Sequence, residues 1–163
     1  MAPQSTYYHS PVGLLKISAT PEFLTEVTFN DKVEKADGGR HLSPLLIQSI
    51  EQLIQYFNGE RRIFDLPLNQ PGTPFQQGVW TELMAIPFAK TISYFELARR
   101  TGDTKATRAV AAANGKNNIA IIIPCHRVIG ANKDLVGYGG GLWRKKWLIE
   151  HEMKVAYGVQ TLF

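Results

Sequence analysis

The chain has 163 residues, 44% of them hydrophobic and 20% charged, with a formal net charge of +4. That is ordinary for a folded protein and enough for one good core or two small ones. It holds no apolar run near the roughly 20 residues a membrane span needs, no basic or apolar signal region in Met1-Ala2-Pro3-Gln4-Ser5, and only one cysteine, Cys125, which excludes an intramolecular disulfide and a cysteine-rich zinc site. These features predict a cytoplasmic protein of a reducing compartment that does not engage a membrane.

Gly13 to Thr20 and Phe23 to Phe29 read as two strands joined by a turn at Pro21-Glu22. The polar stretch Asp31 to Arg40 reads as a loop. Ser43-Pro44 supplies an N-cap and a first-position proline, and Leu46, Ile47, Ile50, Leu53, Ile54 and Phe57 follow at helical spacing to Asn58-Gly59. Arg62 to Leu66 reads as a further strand and Asn69-Gln70-Pro71-Gly72 as a linker. Thr73-Pro74 opens a helix carrying Phe75, Val79, Trp80, Leu83 and Met84, which ends before Pro87. Ser93 caps a short helix ending at Gly102, and a third helix runs from Asp103 or Thr104 through Asn114, so the pair forms a helix-turn-helix. Ile119 to Ile123 reads as a short apolar strand. Leu142 to about Val155 reads as a last helix that buries Leu142, Leu148, Ile149 and Met153. The fold class expected is α+β: a small N-terminal sheet-plus-helix domain, residues 1–72, then a mostly helical, winged helix-turn-helix-like DNA-binding domain, residues 73–163.

Charge divides along the same line. Residues 1–72 carry six Lys or Arg against eight Asp or Glu, and residues 73–163 carry twelve against six. A basic half beside an acidic half suggests a polyanion-binding module. The second helix of the pair, Ala106-Thr107-Arg108-Ala109-Val110-Ala111-Ala112-Ala113, offers almost nothing long enough to read base edges in a major groove. Alanine is also simply the best helix former. Small residues would equally let a helix lie close to a groove without reading it. Lys105, Lys116 and Arg99 are candidate phosphate contacts.

Cys125 follows an apolar run and a proline and precedes a base and a cation, in Ile123-Pro124-Cys125-His126-Arg127-Val128. A lone cysteine can be a small buried hydrophobe. It can also be a nucleophile whose thiolate a nearby His or cation favours. The string Pro124-Cys125-His126-Arg127-Val128 resembles the active-site signature of the O6-alkylguanine-DNA alkyltransferases, the methylated-DNA–protein-cysteine methyltransferases. Ser93-Tyr94, Arg108-Ala109-Val110, Asn114-Gly115-Lys116-Asn117, Gly137-Tyr138-Gly139-Gly140-Gly141 and Trp147 to Glu152 match that family in order and spacing. The match covers roughly residues 73 to 155.

The resemblance implies direct-reversal DNA repair: a single-turnover, suicidal transfer of the alkyl group from O6-alkylguanine, and from O4-alkylthymine, in double-stranded DNA to the protein's own cysteine. Cys125 would be the acceptor. His126 would act on it through a water, with Glu152 orienting His126. Asn117 would tie the cysteine segment to the helix-turn-helix. The helix would dock in the minor groove, Arg108 would fill the gap left by a rotated-out nucleotide, and Tyr94 would press on its 3′ phosphate. The glycine-rich loop would line the pocket, with the amides of Tyr138 and Gly139 facing O6 and the carbonyls of Cys125 and Val128 accepting from the guanine amino group. Two positions depart from the family: Asn118 where it usually has proline, and Gly139 where it commonly has serine. The lesion itself supplies the alkyl group, so no cofactor and no metal is expected, and the protein is expected to be a monomer.

Two other readings were weighed against these residues. A lesion binder sharing the fold would lack the cysteine, which this chain has. A thiol hydrolase would need a Cys–His dyad, and the basic helix-turn-helix and the absence of a second convincing His beside an acid argue against it.

Overall fold

The computed structural model describes residues 3–32, 41–130 and 135–158, in two units that divide between Gln70 and Pro71. In the first, β1 (Gln4–Ser10), β2 (Gly13–Ala19) and β3 (Leu24–Phe29) form an antiparallel sheet in sequence order. β1 was not foreseen. Its residues are largely polar and all stay at the edge, without the alternation that marks a half-buried strand. Gln4 pins it to the helix that follows: its amide donates to the His41 carbonyl at 2.9 Å and accepts from the Ser43 N–H at 2.9 Å.

Helix α1 (Pro44–Phe57) starts as expected, with the Ser43 hydroxyl accepting from the Leu46 N–H. Its buried stripe is rotated from the one expected. Leu45, Leu46, Ser49, Gln52, Leu53, Tyr56 and Phe57 face the sheet, while Ile47 and Ile54 are exposed. Gln52 turns inward because its amide serves another segment. It accepts from the Asp65 N–H at 2.9 Å and donates to the Asp65 carbonyl at 3.1 Å. That pairing corrects the strand expected at Arg62 to Leu66: no ladder forms there, and the only sheet-like pairing described nearby is a single parallel bridge, Leu24 to Leu68. The stretch Asp31 to Arg40 lies for the most part outside the described residues.

The second unit holds α2 (Pro74–Met84), β4 (Ile92–Ser93), α3 (Tyr94–Arg100), a 3₁₀ turn at Thr104–Ala106, α4 (Thr107–Gly115), β5 (Val128–Ile129) and α5 (Leu142–Tyr157). Thr73 and Gln76 cap α2 reciprocally, and the Trp80 indole N–H bonds the Ala113 carbonyl at 3.0 Å, locking α2 to α4. α3 and α4 form the helix-turn-helix, turning at Gly102. β4 and β5 pair in parallel, Ile92 with Val128 and Ser93 with Ile129. This short pairing sets the start of α3, and hence Tyr94, beside the segment that carries Cys125.

The strand expected at Ile119 to Ile123 is instead a buried, tightly turned segment. Ile122 N–H bonds the Ala120 carbonyl at 2.8 Å, and Ile121 between them has φ 72. A positive φ is costly for a β-branched residue. It is held by the next turn of hydrogen bonding, Ile123 N–H to the Ile119 carbonyl at 3.0 Å. Apolar content alone cannot separate a buried strand from a buried turn. The last helix also differs: Leu142 is exposed and Met153 half-buried, while Arg144, Lys145 and Glu152 are buried beside Leu148 and Ile149.

Candidate active site

Pro124, at φ −82 and ψ 64, centres a three-residue inverse γ-turn closed by Cys125 N–H to the Ile123 carbonyl at 2.8 Å. The chain then enters one 3₁₀ turn, Cys125–Arg127, before β5. Alternation along a strand, which would send Cys125 and His126 to opposite faces, therefore does not apply.

Asn117 closes the loop behind the cysteine. Its amide donates to the carbonyls of Ile123 at 2.9 Å and Ile119 at 3.3 Å and accepts from the Ile119 N–H at 3.0 Å. Asn118, at the usual proline position, is exposed, and the loop's closure is carried by the side chain of Asn117.

Cys125 is 6% exposed. Burial pushes its thiol up; the Asn117 amide, the Lys145 charge, its own backbone N–H and the Tyr138 hydroxyl oppose that rise without cancelling it. The resting group is the neutral thiol, so a base has to remove its proton for reaction. The cation that faces it is Lys145. The adjacent residues, His126 and Arg127, turn to Glu152 instead.

Glu152, on α5, is the hub of a buried ionic cluster. His126 Nε2 lies 2.7 Å from its Oε2; Arg127 donates to it twice, from Nε at 2.9 Å and from a terminal nitrogen at 3.1 Å; and the Ala89 N–H donates at 3.1 Å. Arg127 also holds the Ile86 carbonyl at 2.7 Å. Ala89 has φ 63, a left-handed conformation stabilised by the bond its N–H makes to the carboxylate. Burial raises the Glu152 carboxyl, but His126 and then Arg127 outweigh it and hold it well below the usual carboxylate range. Burial lowers His126, Glu152 opposes this, and the charges of Arg127 and Lys145 add to the lowering. The imidazole is thus neutral. Its Nε2–H points at the carboxylate, which leaves Nδ1 as a buried acceptor with no partner among the described residues.

The glycine-rich loop is gripped by the first turn of α5. Arg144 donates to the Gly140 carbonyl at 3.0 Å, and Lys145 to the carbonyls of Val136 at 2.8 Å and Gly137 at 3.4 Å. Cations are unfavourable at a helix N-terminus; here each is committed to loop carbonyls. Burial pulls the Lys145 ammonium down to about 8, against the opposing pull of Cys125. Gly137 (φ 56) and Gly141 (φ 90) take conformations that need glycine, whereas a Cβ at Gly139 would meet no heavy atom within 4 Å. The Tyr138 hydroxyl is buried, and burial followed by the Cys125 charge keeps it protonated. Val128 is fully buried in β5. Tyr94 opens α3, with its hydroxyl donating to the Val136 carbonyl at 3.2 Å.

The fold therefore gathers Cys125, His126, Asn117, Tyr94, Val128, Tyr138 and Glu152 around one segment. Arg108 stands apart on the exposed side of α4, and Gly139 is exposed. Of the candidate phosphate contacts, Lys105 and Lys116 are exposed, and Arg99 is held by Glu96 at 2.6 and 2.7 Å. Asn114, Arg144 and Lys145 were not assigned roles from the sequence, and Arg127 was read only as a cation beside the thiol. The adjacent Arg144-Lys145 at a helix start was a usable signal; Asn114 lay in a matched motif that named no role for it.

Comparison with known proteins places both units. Residues 74–154 match the family model described as 6-O-methylguanine DNA methyltransferase, DNA binding domain, and residues 5–70 match its ribonuclease-like domain. Among curated proteins, the chain is 44% identical over 156 residues to a methylated-DNA–protein-cysteine methyltransferase of Mycolicibacterium paratuberculosis, covering 94% of each. It is 39% identical to the constitutive one of Bacillus subtilis, covering 93% of this chain and 96% of that one. Among solved structures, the O6-methylguanine methyltransferase of Mycobacterium tuberculosis superposes with a TM-score of 0.84 at 40% identity, covering 96% of each chain. A crystal structure of Mycobacterium tuberculosis OGT in complex with DNA gives 0.82 at 42%, covering 91% of this chain and 92% of that one.

Proposed function

The chain belongs to the 6-O-methylguanine DNA methyltransferase family, and we propose that it repairs DNA by direct reversal, with Cys125 as the acceptor of the alkyl group. The observation that carries this is the position of the chain's single cysteine: it lies in a loop closed by Asn117, with Lys145 and Tyr138 facing it, and is followed by a neutral histidine whose Nδ1 is an acceptor with no partner among the described residues.

The chemistry follows from those contacts. His126 Nδ1, acting through a water, takes the thiol proton, and Glu152 stabilises the imidazolium that forms. The thiolate sulfur attacks the alkyl carbon in line. The S–C bond forms as the C–O6 bond breaks, its electron pair goes to the purine, and the proton taken from the thiol by His126 is passed back through water to the purine N1. Free guanine in DNA and an S-alkylcysteine result. A thioether has no good leaving group, so each protein acts once. Lys145 favours the thiolate as it forms, and its grip on the Val136 and Gly137 carbonyls keeps the pocket loop in place.

Double-stranded DNA bearing O6-alkylguanine, and O4-alkylthymine, is the partner, bound by a monomer. Residues 73–163 carry both DNA binding and transfer, and residues 1–72 form the accompanying α/β domain. Arg108, exposed on α4, fills the stack when the damaged nucleotide rotates out, and Tyr94 pushes on its phosphate. The test is a duplex whose O6-methyl group carries a radiolabel. The label should move to the protein fraction. Label that remains on DNA assigns the chain to lesion binding alone, and label released as methanol assigns it to hydrolysis.

A further inference from the structure

Asn114 lies in the last turn of α4 and is 4% exposed. Its Nδ2 lies 3.5 Å from the carbonyl of Cys125. A carbonyl on that side identifies the amide end facing it as the NH₂ group. The other end is then Oδ1, which is buried and has no hydrogen-bond partner among the described residues. A buried acceptor left unsatisfied is costly, and the other end of the same amide meets the backbone of the nucleophile.

Resting on the reading of alkyl transfer to Cys125, we propose that Asn114 determines base specificity: its Oδ1 accepts a hydrogen bond from the 2-amino group of the extruded O6-alkylguanine. The chemistry of the lesion narrows the choice. Alkylation at O6 removes the N1 proton, so the 2-amino group is the only donor left on the base edge. O4-alkylthymine has lost its N3 proton and offers no donor at all. An unpartnered acceptor on the side chain that meets the Cys125 carbonyl therefore suits the purine lesion and leaves the pyrimidine lesion with a desolvated oxygen facing it. The Cys125 carbonyl, already approached by Asn114 Nδ2, yields one of the amino hydrogens to Oδ1, and the Val128 carbonyl takes the other.

The experiment compares single-turnover transfer rates from duplexes carrying O6-methylguanine or O6-methylhypoxanthine, which lacks only the amino group, for the wild type and for Asn114→Leu. The guanine rate should fall about tenfold more than the hypoxanthine rate in the variant, so the ratio of the two collapses. Asn114→Met provides a second, unbranched replacement that also removes the acceptor should leucine prevent folding. Equal losses on both bases show that Asn114 only supports the fold and overturn the proposal, as does an unchanged ratio. Wild-type protein that transfers from neither duplex would instead overturn the functional reading on which the proposal rests.

Discussion

Cys125→Ala should abolish alkyl transfer and leave DNA binding intact. Nothing else among the described residues can replace the sulfur: the Tyr138 hydroxyl is held protonated chiefly by its burial, and Lys145 is committed to two carbonyls. The alanine fits where the thiol sat, so Asn117 still closes the loop through Ile119 and Ile123 and Glu152 still holds His126. Binding of an O6-methylguanine duplex, measured by anisotropy, should match the wild type within about twofold, because affinity for DNA comes mainly from phosphate contacts on other residues. Transfer should fall below detection. Residual transfer in the variant would place the acceptor elsewhere. Lost binding would make Cys125 a structural residue.

Glu152→Ala should be the most destabilising single change in the second unit. It leaves the buried His126 and Arg127 donors that met the carboxylate unpaired, with Arg127 keeping only its bond to the Ile86 carbonyl, and frees the Ala89 N–H. Removing one partner of a buried ion pair costs about 3–5 kcal/mol, a large share of the roughly 5–15 kcal/mol that holds a domain together. The same cluster sets the acid response. His126 is lowered from 6.5 and Glu152 from 4.5 by folding. In both cases the unfolded chain binds more protons just below the ordinary value, so stability falls as the pH drops, first below about 6.5 and again below about 4.5. Lys145 acts in the same direction at higher pH. Lowered from 10.5 to about 8, it is protonated more in the unfolded chain between those values, so stability rises with pH there. Glu152→Gln keeps the shape and removes the charge. Denaturant titrations should show its stability declining less steeply below pH 4.5 than that of the wild type. An unchanged acid profile in Glu152→Gln would mean that the cluster does not govern it.

Much of this was legible in the chain. Ser43, Thr73 and Ser93 mark three helix starts because a hydroxyl accepting the third N–H along is a local interaction. The ordered set of short motifs pointed to the family and to Cys125, His126, Asn117 and Glu152 together. Features set by distant partners were not legible. Gln52 buries itself to serve Asp65, which rotates the stripe of α1 and dissolves an expected strand. The isoleucine run before Cys125 turns because Asn117 captures its carbonyls, and no hydrophobic pattern records that. Arg127 looked like a cation for its neighbour's thiol, yet a carboxylate on α5 claims it. Lys145, the cation that does face the thiol, lies on another element, and only tertiary structure brings it there.

The central claim, that Cys125 accepts one alkyl group and then stops, is tested most directly by intact-protein mass after incubation with excess O6-methylguanine duplex, followed by peptide mapping. Every protein molecule should gain a single methyl, about 14 Da, on Cys125, with one methyl lost from DNA per protein and no further reaction on adding fresh duplex. Repair of several lesions per protein, or a methyl mapped to any other residue, would contradict it.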